Sequence, residues 1–246
     1  MALMRTSNPA LSDAAFRGTG AAYGEAMTIA GAVNKTGILL ICAVATAIWS
    51  WTRFMTAPDT ALALLVVGGI GGLVVAVVTI FKKEWAPVTA PLYALLEGLV
   101  LGSISAMYEM RFHGIAIQAV GLTFGVLFAL LLAYRSGLIR ATENFKLGVF
   151  AATGGIALFY LAQFALGFFG IRFAAINGSG AIGIGFSLFV VVIASLNLVL
   201  DFDFIERGAA ARAPKYMEWY AAFGLMVTLI RLYLEILNLL SKSRRR

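Results

Sequence analysis

Four carboxylates in this sequence stand where carboxylates are costly. Glu97, Asp201, Asp203 and Glu218 each lie within or at the edge of a long apolar run. Ionisable groups at bilayer depth are rare and default to functional candidates. Carboxylates held close together suppress each other's ionisation, so that one of them titrates nearer neutrality. Ionised, the same oxygens form a hard site suited to Ca²⁺. Protons and cations then compete for one site, and such a site can gate a cation leak by pH. Asp201 and Glu218 are the pair assigned to Ca²⁺. No other cofactor is called for.

Asp201 and Asp203 are not equivalent. Two residues on a helix are about 200° apart, so one faces the interior and the other away. Asn197 is one turn before Asp201 and shares its face. That polar stripe assigns Asp201 to the interior and leaves Asp203 to pair with Arg207, its i+4 neighbour. Arg231 and Glu235, also four apart, form a second expected pair. Gln118 and Gln163 are expected to bond across helices.

Long apolar segments must carry these groups. Of 246 residues, 61% are apolar and only 13% charged, too few charges to cover a soluble domain of this size. A spanning helix needs about 20 mostly apolar residues. Seven segments qualify: Thr36 to Trp51 extended back to Gly31, Thr60 to Phe81, Thr89 to Met110, Gly114 to Tyr134, Leu147 to Phe169, Gly180 to Asp203, and Tyr216 to Leu240. The runs are continuous rather than alternating, which excludes a β-barrel. The fold class is therefore an all-α membrane protein, a seven-transmembrane-helix bundle. Residues 1–30 read as a flexible polar cytoplasmic tail, 31–241 as the membrane domain and 242–246 as a short basic tail. Glycines at helix-contact spacing (Gly98 and Gly102, Gly121 and Gly125, Gly68 to Gly72, Gly178 to Gly185) predict close helix packing.

By helix counting, Glu97 lies roughly 12 Å into the third span. Asp201 and Asp203 end the sixth span and Glu218 begins the seventh, all on one side. Four carboxylates are thus expected in one layer. Trp219 and Tyr220 read as an aromatic belt beside it.

Loop charge sets the orientation. The N-terminal side holds Arg5, Arg17, Lys35, Lys82, Lys83, Arg135, Arg140, Lys146, Arg207, Arg212 and Lys215, against Arg53, Arg111 and Arg172 opposite. Basic loops stay in the cytoplasm, which places the N-terminus there. The C-terminal KSRRR then falls on the wrong side for its charge, unless the last segment is re-entrant. The net charge of +7 belongs to loops facing an anionic leaflet, not to nucleic acid.

Several chemistries are excluded. The single histidine, His113, lies in a short outer loop and cannot build a serine triad or histidine-ligated metal site. The seventh span has no internal lysine for a retinal Schiff base. There is no Walker motif for ATP-driven transport. No enzymatic activity is expected.

Four stretches carry a likeness: APLYALLEGLVLGSISAMYE at 90–109, LLLAYRSGLIRATENFKLG at 130–148, GIGFSLFVVVIASLNLVLDFDFIERGA at 183–209 and PKYMEWYAAFGLMVTLIRLYLEIL at 214–237. Together they resemble the Bax inhibitor (transmembrane Bax inhibitor motif) family, and look close to its bacterial YccA-like branch. The resemblance implies seven helices with the seventh central, surrounded by the other six. It implies residence in a bacterial inner membrane. For some members it implies a pH-sensitive Ca²⁺ leak governed by aspartates on helices six and seven. For others it implies a non-conducting regulator of a membrane protease or survival pathway. The family's helix-six motif, similar to YDTQLI, places its aspartate at Asp201. Its helix-seven motif, similar to LYLDIINL, matches LYLEILNL at 232–239 and points to Glu235. Gap-free alignment from Tyr216 instead puts Met226 at that depth, nine residues earlier, or roughly 13 Å.

Overall fold

The computed structural model describes residues 25–169, 176 and 178–245, with the side chains of residues 58–61 also outside the description. Arg5, Arg17, Arg172 and the tail up to residue 24 therefore lie outside the described residues. Seven long helices are present: α1 (Ile29–Thr56), α2 (Pro58–Phe81), α3 (Ala86–Arg111), α4 (Ile115–Arg135), α5 (Glu143–Gly167), α6 (Ala181–Ala210) and α7 (Met217–Arg244). A single 3-10 turn, Lys83–Trp85, joins α2 to α3. All seven contain a window long and apolar enough to cross a bilayer.

The helix ends follow local chemistry. Thr28 and Thr142 cap α1 and α5, their hydroxyls accepting from Gly31 N and Phe145 N. Gly114, at φ 76°, turns the chain tightly between α3 and α4. Glu109 satisfies the free amides of that turn, accepting from Gly114 N at 2.5 Å and Ala116 N at 3.2 Å. Pro91 lies inside α3, whose first residue is Ala86.

Helix α7 is the most buried of the seven and occupies the centre. It packs against α1, α3, α4 and α6. Helix α5 packs chiefly on α6 and reaches α7 through Tyr160, while α2 packs on α3 and α1. The surround implied by the resemblance is uneven: α1, α3, α4 and α6 make most of the contact with α7, while α2 and α5 stand mainly at the periphery. Phe204, Tyr220 and Phe223 fill the middle, and Tyr93 meets Phe223 edge-on at 4.9 Å.

The α1–α3 seam shows why the glycines are where they are. A Cβ on Gly98 or Gly102 would run into the backbone of Ala43 or Ala47 on α1. Ser50 continues the seam by donating to the Leu99 carbonyl at 2.7 Å. The packing expected of Gly121 and Gly125 is absent: nothing lies within 4 Å of a Cβ built on either. They sit on an open face of α4.

The chain ends on the side opposite its described beginning. Met27 N donates to the Ala213 carbonyl at 2.7 Å, tying the start of α1 to the α6–α7 link. At the far end, Arg244 donates to the His113 carbonyl at 2.7 Å and to Gln118 Oε1 at 2.8 Å. The last helix is a full span of 28 residues, not a re-entrant segment. Gln118 is therefore paired with Arg244 rather than with Gln163, whose amide nitrogen is buried without a partner.

Candidate functional site

Asp201 is in the last third of α6, nine residues before its end at Ala210, or about 13 Å from that end at helical rise. It is 1% exposed. Neither carboxyl oxygen has a hydrogen-bond partner of good geometry. Thr228 on α7 is its loose hydrogen-bonding neighbour, with its hydroxyl also donating to the Gly224 carbonyl at 3.3 Å. Thr228 is two residues from Met226, the position that depth had marked opposite Asp201. Asn197, one turn earlier, is buried too, donating to Thr153 Oγ1 at 2.9 Å and to the Ile193 carbonyl at 2.8 Å. The inward polar stripe of α6 is real, and Asn197 fastens it to α5.

Asp203 behaves as its position around the helix requires. At 16% exposure it pairs with Arg207 Nε at 2.8 Å and with Lys146 Nζ at 3.0 Å. The Arg207 pair was legible in the spacing. Lys146, on α5, was not.

Glu218 is 0% exposed at the start of α7. It accepts from Thr28 N and Thr28 Oγ1, both at 2.9 Å. Lys35 pairs directly with one oxygen, and Lys215 lies 3.4 Å from the other. Lys215 also meets Glu25 at 3.4 Å. Burial pulls the Lys215 ammonium down, but hydrogen bonding and attraction from Glu218 and Glu25 together hold it above its ordinary value. A Cβ on Gly31 would collide with the Glu218 carboxylate, so α1 passes against the carboxylate itself. The aromatic belt expected beside it is not formed as such. Tyr220 is buried in the core, and Trp219 lies beneath Lys35 at 5.6 Å.

Glu97 is half-buried on α3, hydrogen-bonded to the Tyr93 hydroxyl. It lies over Gly72 of α2, where a Cβ would come within 2.9 Å of its oxygen. The glycine run of α2 makes room for it.

The expected four-carboxylate layer does not assemble. Glu218 is neutralised by lysines, Asp203 by Lys146 and Arg207, and Glu97 faces α2. No cluster of three or more potential metal ligands occurs among the described residues. No carboxylate figures among the groups acting on Asp201. Glu235 lies toward the other side of the bundle. It accepts from Tyr160 at 3.4 Å, with Arg231 and Lys242 as electrostatic neighbours. Lys242 is the buried group that composition did not single out. Its ammonium donates to the Ile176 carbonyl and Ser187 Oγ, each at 2.9 Å.

A seven-helix bundle with a buried, unpartnered carboxyl on the sixth helix thus accompanies the sequence stretches quoted above. The model of the family described as Bax inhibitor 1 like matches residues 8–245. The chain belongs to the Bax inhibitor-1-like family. No curated protein and no solved structure matches it. Within this family member, the helix-seven position facing the aspartate is a threonine, and the LYLE motif that resembles the family's second aspartate motif is one half of the bundle away.

Proposed function

We propose that this Bax inhibitor-like membrane protein is a pH-sensitive cation leak, with Ca²⁺ as a permeant ion, in which Asp201 is the controlling group. The observation that carries this reading is a carboxyl 1% exposed with no charged partner and only Thr228 as a loose hydrogen-bonding neighbour. An ionised carboxylate in such a place needs a counter-charge or a proton. Its state is therefore coupled to whatever supplies one, H⁺ or a passing cation. A single carboxyl is too few oxygens to hold Ca²⁺, which takes 6–8 ligands. Asp201 then acts on passage rather than as a storage site, and Glu218 serves as structure.

Proteoliposome flux of Ca²⁺ at about pH 6 and about pH 8, on either side of neutrality, tests this. Wild type is expected to differ between the two, and Asp201→Asn to lose the difference. Flux absent at both pH values sinks the leak.

A second reading has its own support. Phe204, Tyr220 and Phe223 are buried in the core around α7, and Glu218 and Asp203 at the N-terminal side are neutralised by lysines and Arg207. Such packing suits a non-conducting regulator of a membrane protease or stress pathway. A cytoplasmic N-terminus is supported by the basic excess on that side, and residence in a bacterial inner membrane rests on the family resemblance alone.

A further inference from the structure

An apolar crevice of about 520 Å³ opens between α1 and α4 in the half of the bundle nearer the C-terminus. Its walls are those two helices, which scarcely touch each other, and its floor is α3 and α7. The cause is local. Gly31 and Glu218 draw α1 against α7 at one end, and Gly98 and Gly102 seat it on α3 along its middle. Nothing fastens α1 to α4, so the two part toward the far side.

We propose that this crevice holds one acyl chain of a phospholipid from the leaflet on the C-terminal side. Four observations select that occupant. First, the mouth faces the bilayer, since Ile48 and Ile117 on its two lips are both strongly exposed. Second, none of the lining residues is charged. Third, the lining hydroxyls are already satisfied within the protein. Ser105 and Tyr233 share a hydrogen bond at 2.6 Å, and Thr123 donates to the Ala119 carbonyl at 2.7 Å. With three hydroxyls already engaged and the rest of the lining apolar, the crevice suits a hydrocarbon chain better than a polar ligand. Fourth, the crevice runs along α1 from Leu40 to Trp51, roughly 16 Å at helical rise, which is about half of a ~30 Å hydrocarbon core. That is the depth of a single leaflet. Left empty, its lining would forfeit dispersion contacts. Just past the crevice, Arg53 stacks over Trp49 at 5.8 Å, a cation about half a turn of α1 beyond Trp51 and within reach of a phospholipid headgroup.

Native mass spectrometry of the full chain, after a delipidating detergent wash, tests the proposal with the host membrane's own phospholipids. Wild type is expected to retain one phospholipid. Val120→Trp fills the crevice from the α4 wall, and retention should fall about tenfold or more. Val44→Trp fills it from the opposite wall and guards against a folding failure of the first variant. Leu161→Trp, on the exposed face of α5, should retain the lipid as wild type does. Helix content and monodispersity establish that each variant is folded. A photo-crosslinking residue at position 120 identifies the occupant directly: a phospholipid adduct is expected. No retained lipid in wild type, equal retention in all folded variants, or an adduct to a second protein chain each overturns the assignment.

Discussion

Glu218 and Asp201 are both buried carboxyls on interior helices, yet their surroundings give them opposite roles. Glu218 is met by two lysines, a backbone amide and a hydroxyl. Removing its charge leaves Lys35, itself only 17% exposed, without a counter-ion. Glu218→Gln is therefore expected to destabilise the protein by about 1–3 kcal/mol, the range for a buried polar partner left unsatisfied. It should appear as a lower melting temperature in detergent, with the pH response of any flux retained. Asp201→Asn removes a charge that no cation balances, so its melting temperature should hold or rise while the pH response is lost. Equal melting shifts for the two would show that the structural and functional carboxylates had been separated wrongly. The position of each carboxylate around its helix was legible by counting: 200° divides Asp201 from Asp203, and one turn aligns Asn197 with Asp201. Their partners were not. Lys35 and Glu218 are 183 positions apart, and only the folded packing of α1 on α7 brings them together.

At the scale of elements, glycine spacing alone was an incomplete guide. Gly98 and Gly102 have the same four-residue spacing as Gly121 and Gly125. The first pair lies against the α1 backbone and the second faces open space. Periodicity shows that two small residues share a helix face, but not whether another helix covers that face. Gly102→Val should then overpack the α1–α3 seam and cost about 1–3 kcal/mol. Gly121→Ala should be neutral, or stabilising by a few tenths of a kcal/mol through better helix propensity. Thermal melts of the two variants, side by side in one detergent, check the contrast. A matching loss in both would mean that α4 is covered by another helix in the membrane. The same limit explains Glu235. Its letters fit a family motif, but helical rise places it about 27 Å from the α7 start, two turns beyond Thr228 and out of reach of Asp201.

The whole molecule sets up a conflict between charge and topology. An odd number of spans sends Lys242, Arg244 and Arg245 to the sparsely basic side, against the usual bias. The fold shows how two of those cations, Lys242 and Arg244, are held. Lys242 is drawn inward onto the Ile176 carbonyl and Ser187, and Arg244 is bonded to His113 and Gln118 in the turn into α4. The basic C-terminus thus acts as a clasp between α7 and the connections on its own side. Basic residues near the N-terminal side, Lys82, Lys83, Arg135 and Arg140 among them, lie in or beside short links where charge governs insertion most strongly. Reporter fusions at the two ends should consequently read opposite faces of the membrane. A fluorescent protein active only in the cytoplasm should glow at the N-terminus, and a phosphatase active only outside should work at the C-terminus. Replacing Lys242 and Arg244 together by Gln should loosen the clasp and lower the melting temperature without reversing that pattern, because the loops and not the tail set it. Two reporters active on the same face would mean that α7 does not cross, and with it would go the central helix around which the other contacts are arranged.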